Sequence, residues 1–100
     1  MKVYLIQQES TNNYKIGITK HANVSKRIRQ LQTASPEKLI LISEFLTKHN
    51  YMLETAVQNY FKLNKINNEW FLNIDKDQFI NFCKLTESNF DYLKEHSTYG

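Results

Sequence analysis

Glycine and proline are nearly missing: two and one in 100 residues. That argues against a loop-rich or repetitive architecture, and no internal repeat or low-complexity run is present, only a drift toward Asn and Lys. Cysteine occurs once, at Cys83, so no internal disulfide can form. This usage is expected of a reducing, intracellular compartment. Cys83 lies in the apolar run Phe79–Leu85 and is expected to fill the core. No apolar stretch approaches the roughly 20 residues of a membrane span. The N-terminal MKVYLIQQES runs straight into a strand, and its apolar run is too short for a signal peptide. A Walker loop, a dinucleotide fingerprint, a serine elbow and a zinc pattern are all lacking. His21, His49 and His96 show no metal-ligand spacing.

What is present suits one folded domain over residues 1–100. Hydrophobic residues make up 41% and aromatic residues 13%, which argues against a disordered tail. A chain of this length can bury one modest core. The net charge of +3 is unevenly spread. Residues 1–50 carry +5 and residues 51–100 carry −2. Between Ser10 and Pro36 stand five cations (Lys15, Lys20, Lys26, Arg27, Arg29) and no acid. Such a surface attracts phosphate in a salt-dependent way. A solvated helix face that happens to be basic is the equally weighted alternative.

Lys2–Gln8 reads as a strand, Glu9–Asn13 as a polar turn and Tyr14–Thr19 as a second strand paired antiparallel to the first. Gly17 inside that strand marks a close approach by a backbone or a ligand. Asn23 is placed to cap a helix to about Thr33, with Val24, Ile28 and Leu31 on one apolar stripe. Ser35-Pro36 ends it. Leu39–Leu46 is expected as the central or third strand. Asn50 is expected to cap a helix from Tyr51 to about Leu63, with Glu54 at the edge of its buried face. Asn67–Phe71 reads as a turn with an aromatic anchor. Asp75 caps a further helix, with Gln78 in the capping-box position and Ile74 and Phe79 in the staple positions. Ser88 to about His96 is expected as a separate short helix, followed by a frayed STYG tail. The expected fold is α+β: a small three-stranded antiparallel sheet with flanking helices, in the order β-β-α-β-α-α.

Five short motifs then occur in one order. They are VYL at Val3–Leu5, KIG at Lys15–Gly17 with Thr19, Arg27 within RIRQLQT, Glu54 at the front of LETAVQNYF, and NNEWF at Asn67–Phe71. This series resembles the GIY-YIG nuclease superfamily, in the branch of T5orf172 or MUG113-like domains, over about Lys2 to Leu72. Residues 75–96 then form a C-terminal helical part. The resemblance implies a metal-dependent endonuclease acting on nucleic acid, with DNA the expected substrate. In such enzymes Glu54 would hold one Mg²⁺ or Mn²⁺ ion, Arg27 would contact phosphate and Tyr4 would help to activate water. Asn67 or Asn68 would match a supporting asparagine. Lys15, Thr19, Lys20, Lys26, Arg27 and Arg29 are the expected nucleic-acid contacts, with Gly17 and Gln58 in support.

The chemistry can also be argued without the family. Phosphodiester hydrolysis needs an activated water, a charge clamp on the transition-state oxygens and help for the leaving group. A hard divalent ion takes oxygen ligands and often only one or two carboxylates. Arginine offers a permanently charged fork for phosphate. Taken singly, Tyr4 reads as a strand aromatic, Arg27 as a solvated charge and Glu54 as a first-turn acid. Trp70 and Phe71 read as core anchors. Two positions depart from the family pattern. Lys15 stands in place of a tyrosine, and Tyr14 beside it should point to the opposite face. Gln58 stands in place of a histidine. A catalytically weak or inactive nucleic-acid-binding module on the same fold is therefore the second reading, and a protein-interaction domain the third. A homodimer is compatible with all of these.

Overall fold

The computed structural model describes residues 1–96, so the STYG tail lies outside the described residues. Its elements are β1 (Lys2–Gln8), β2 (Asn13–Thr19), α1 (Val24–Gln32), β3 (Leu39–Leu46), α2 (Tyr51–Tyr60), β4 (Lys65–Asn67), β5 (Trp70–Leu72) and α3 (Lys76–Glu95), with a 3-10 turn over Lys62–Asn64. β1 is apolar at four successive positions, Val3 to Ile6, all buried. A strand reads this way when both faces of its sheet are covered. One face carries Val3, Leu5 and Ile16 against Leu53, Val57, Phe71, Phe79 and Cys83. The other carries Tyr4, Ile6 and Leu39 against Val24, with Ile28 and Leu31 packed on them. Helix α1 thus covers one face, and α2 and α3 cover the other.

The sheet has five strands in the order β3-β1-β2-β5-β4, and every pairing is antiparallel. This corrects the expected three-stranded sheet. The segment expected as a turn with an aromatic anchor is a hairpin, β4–β5, closed through Asn68-Glu69. Its strands are three residues each, and all of Lys65–Asn67 is exposed, so no apolar alternation marks it. Asn68 takes φ 42°, a left-handed turn conformation that asparagine tolerates. Nor is β3 central: it is an edge strand. A register shift between Leu5 and Ile6 leaves Ile42 without an opposite residue and switches the face on which the flanking β3 residues lie. Leu39 and Leu41 therefore join the α1 side, whereas Ile42 and Phe45 join the other. Leu39–Ile42 reads as an unbroken apolar run because both faces of the sheet are covered there.

Two helix expectations also need correction. Lys76–Glu95 is one 20-residue helix, not two, because no Gly or Pro interrupts it and Thr86 is buried in its middle. Asn50 makes no side-chain cap bond on α2. Its neighbour Thr47 instead accepts from the His49 amide at 3.0 Å. The other two caps are as expected: Asn23 accepts from Ser25 N, and Asp75 accepts from Gln78 N at 2.8 Å. Ile74 and Phe79 are both buried in one cluster. Cys83 is buried and free, its thiol pushed up to about 12 by burial and by the charge of Glu87. None of the described helices is long and apolar enough to cross a membrane.

Candidate active site

Tyr4 leaves β1 on the α1 side of the sheet, directly opposite Gly17 on β2. Its ring lies flat across that glycine. A Cβ on Gly17 would stand 2.5 Å from Tyr4 Cζ and 2.9 Å from Cε1, closer than real contacts allow. The glycine is therefore the floor on which the phenol rests, a close approach of the kind a strand glycine signals. Arg27 comes from above. At about 100° per residue it sits beside the Val24–Ile28–Leu31 stripe of α1, while Lys26 and Arg29 turn outward. In accord with that geometry Arg27 is half-buried, and Lys26 and Arg29 are exposed.

Glu54 arrives from the other layer. β5 pairs with β2 only at Asn13, Tyr14 and Lys15, so the far half of β2 has a free edge. Helix α2 covers that edge: Gln58 donates its amide to Ile16 O at 2.9 Å, and Leu53 and Val57 are buried beside it. Glu54, one residue past Leu53, is carried to the margin of the sheet. There its charge is felt by Tyr4.

A further carboxylate, Glu69, belongs to the same cluster and is one that the sequence reading missed. It occupies the β4–β5 turn, and its carbonyl accepts from Ile16 N at 3.1 Å. Its side chain forms an ion pair with Lys15. Lys15 is only 11% exposed and its ammonium also stands over Trp70, 5.8 Å from the ring centroid. The only signal in the sequence is an acid beside the aromatic pair of NNEWF, in a turn whose register no local pattern fixes. Tyr14 packs on the opposite face, against the α2–α3 core, as strand alternation requires.

The electrostatics reflect this crowding. Burial pushes the Tyr4 phenol above its usual value of 10.0. The Arg27 guanidinium pulls it back by contact and by charge, and Glu69 and Glu54 add to the rise. Burial also raises Glu54, with Glu69 next, while Lys15 opposes them. Tyr4, Arg27, Lys15, Glu54 and Glu69 are thus linked electrostatically, with Lys15 and Glu69 in direct contact. One atom among them lacks a partner: Arg27 Nε is buried with no hydrogen bond. A buried donor left unpaired costs stability. Glu69 is paired with Lys15, so Glu54 is the carboxylate here that would hold a hard divalent cation.

Other expected contacts are placed differently. Thr19 is 6% exposed, and its hydroxyl accepts from the His21 amide at 3.2 Å, so it shapes the β2–α1 turn. Lys15 faces Glu69 and not solvent. Lys20, Lys26 and Arg29 are exposed on the α1 side. Asn67 and Asn68 are exposed in the hairpin, next to Glu69 in the chain.

The arrangement defines a class first: a sheet-centred α+β domain with a buried phenol on an interior strand, acted on by a guanidinium and two carboxylates. The T5orf172 domain model matches residues 1–87, and the chain belongs to that nuclease-associated family. The match extends past Leu72 into α3. No curated protein and no solved structure matches the chain.

Proposed function

We propose that this chain is a GIY-YIG-type endonuclease that hydrolyses phosphodiester bonds, with DNA as substrate. The observation that carries the reading is that the Arg27 guanidinium acts on Tyr4 by contact and charge while the charges of Glu69 and Glu54 act on the same phenol. Arg27 binds a non-bridging phosphate oxygen through the outer end of its guanidinium, where Nη1 donates to Gln30 Oε1 at 3.3 Å on the exposed side. Tyr4, only 1% exposed and held above its usual value by burial, is protonated at neutral pH, so it braces the Arg27 guanidinium and does not act as a free phenolate. Glu54 would hold a Mg²⁺ or Mn²⁺ ion, with the Glu69 carboxylate nearby. When bound, that ion supplies positive charge to the phosphate and lowers the pKa of water. Lys20, Lys26 and Arg29 hold the duplex backbone through charge.

Supercoiled plasmid should be nicked in Mg²⁺ or Mn²⁺. Glu54→Gln and Arg27→Ala should each lower the rate on the order of a hundredfold or more. Wild-type rates from Glu54→Gln would end this assignment. A second reading is a module on the same fold that binds nucleic acid without cutting. It is favoured by Lys15, which Glu69 ties up in place of a free phenol, and by Gln58, which Ile16 O occupies. Salt-sensitive plasmid binding with no metal-dependent product would select it.

A further inference from the structure

The β3–α2 loop meets α3 in a polar cluster away from Tyr4, on the α3 side of the sheet. His49 Nε2 lies 2.7 Å from Asp91 Oδ1, and its side chain is 8% exposed. Glu87, one helical turn before Asp91, turns toward the same point. One ligand atom from each of His49, Glu87 and Asp91 lies within 4.8 Å of the others. A cavity of about 450 Å³ lined by Lys48, His49, Asp91, Lys94 and Glu95 opens this cluster to solvent.

The cluster has more negative charge than it neutralises. Two carboxylates four residues apart on one helix repel each other. Among the described residues the ion pairs are Lys2–Glu44, Lys15–Glu69 and His49–Asp91, so Glu87 has no cationic partner. Its oxygens accept from the Thr47 hydroxyl at 2.7 Å and the Lys48 amide at 2.9 Å, both neutral donors. Lys48 and Lys94 line the cavity, but neither ammonium pairs with Glu87 or Asp91. A cation is what this side-chain set lacks.

We propose that His49, Glu87 and Asp91 form a metal site for a first-row divalent transition ion, zinc in particular, distinct from the Glu54 cluster. Imidazole nitrogen with two carboxylate oxygens is a donor set for such an ion, whereas Mg²⁺ and Ca²⁺ prefer oxygen alone. Bonds of about 2.0–2.2 Å place ligand atoms roughly 3–3.5 Å apart. The His49–Asp91 pair is already near that spacing, and Glu87, with a ligand atom within 4.8 Å of both, moves in by giving up one of its bonds to Thr47 or Lys48. A fourth position faces the cavity and takes water. The ion would fasten α3 to the loop before α2, five residues ahead of Glu54, and so fix the start of the helix that carries Glu54. The inference does not depend on the nuclease reading.

The test uses the untagged chain, stripped with chelator and titrated with zinc chloride by calorimetry and thermal unfolding. About one zinc per chain is expected, with the melting temperature rising by on the order of 5 °C or more at a hundredfold excess over the dissociation constant. Glu87→Gln and Asp91→Asn should each weaken binding at least about tenfold, and Glu54→Gln should leave it unchanged. Zinc-edge absorption of the wild-type chain should show one imidazole and otherwise oxygen ligands, which keeps the test independent of how the variants fold. Absence of saturable binding, a sulfur ligand, or loss of binding in Glu54→Gln alone would overturn the proposal. Plasmid nicking is read separately, so either idea can fail without the other.

Discussion

Glu54 shows how a site residue can weaken the fold it serves. Its folded pKa is raised above the ordinary 4.5 by burial and by Glu69. Between those two values the folded chain holds more protons than the unfolded chain, so metal-free stability falls as pH rises through that window. Above it the sheltered carboxylate is ionised and destabilising. Glu54→Gln should therefore be more stable than wild type at pH 7 in chelator, and the difference should disappear below about pH 4.5, as urea midpoints would show. Equal stability at both pH values would contradict the sheltering. Gly17 offers a second case. Gly17→Ala places a methyl group into the Tyr4 ring, which is only 1% exposed and has little freedom to yield. A loss of about 1–3 kcal/mol is expected, with nicking lost as Tyr4 moves. Retention of both would mean that the ring can slide aside.

The Lys15–Glu69 pair joins β2 to the β4–β5 hairpin, and its two ends are unequal. Lys15 is nearly enclosed, while the Glu69 side chain is 44% exposed. Removing the carboxylate strands a buried ammonium, whereas removing the ammonium leaves an acid that water can solvate. Glu69→Gln should cost about 1–2 kcal/mol, Gln keeping part of the hydrogen bonding, and Lys15→Met should be close to neutral. Equal losses in denaturant titration would show that the pair is no more sheltered than a surface contact. The same hairpin explains the missed strands. Three exposed residues, Lys65–Asn67, followed by Asn68-Glu69 carry no period-two signal, so its pairing depends on the open edge of β2, which no local window contains. Helix α3 is the converse case: Asp75, Ile74 and Phe79 announce its start, but nothing local shows that Thr86 is buried and the helix continuous.

Across the molecule the charge gradient has a face. Lys26 and Arg29 are exposed on α1 and Lys20 is exposed just before it, with no acid in that stretch, whereas α3 mixes four acids with three lysines. Each phosphate neutralised contributes about 0.9 to the slope of log affinity against log salt. Replacing Lys20, Lys26 and Arg29 by Gln should flatten that slope by about two to three and weaken plasmid binding nearly alike for all sequences. An unchanged slope would move the nucleic-acid surface elsewhere.

Much was legible along the chain because it is local. The first hairpin, the Asn23 and Asp75 caps, the α1 stripe and the buried Cys83 come from periodicity and side-chain chemistry within a few residues. The order of motifs was legible too, and the family match over residues 1–87 agrees with the T5orf172 part of that resemblance. The assembly was not. Glu69 reaches the cluster because β5 stops at Lys15, Glu54 because α2 covers the edge that β5 leaves, and His49 meets Glu87 because α3 does not break. Each is a contact between segments distant in the chain, fixed by strand register and layer packing, and no spacing along a single strand or helix encodes it.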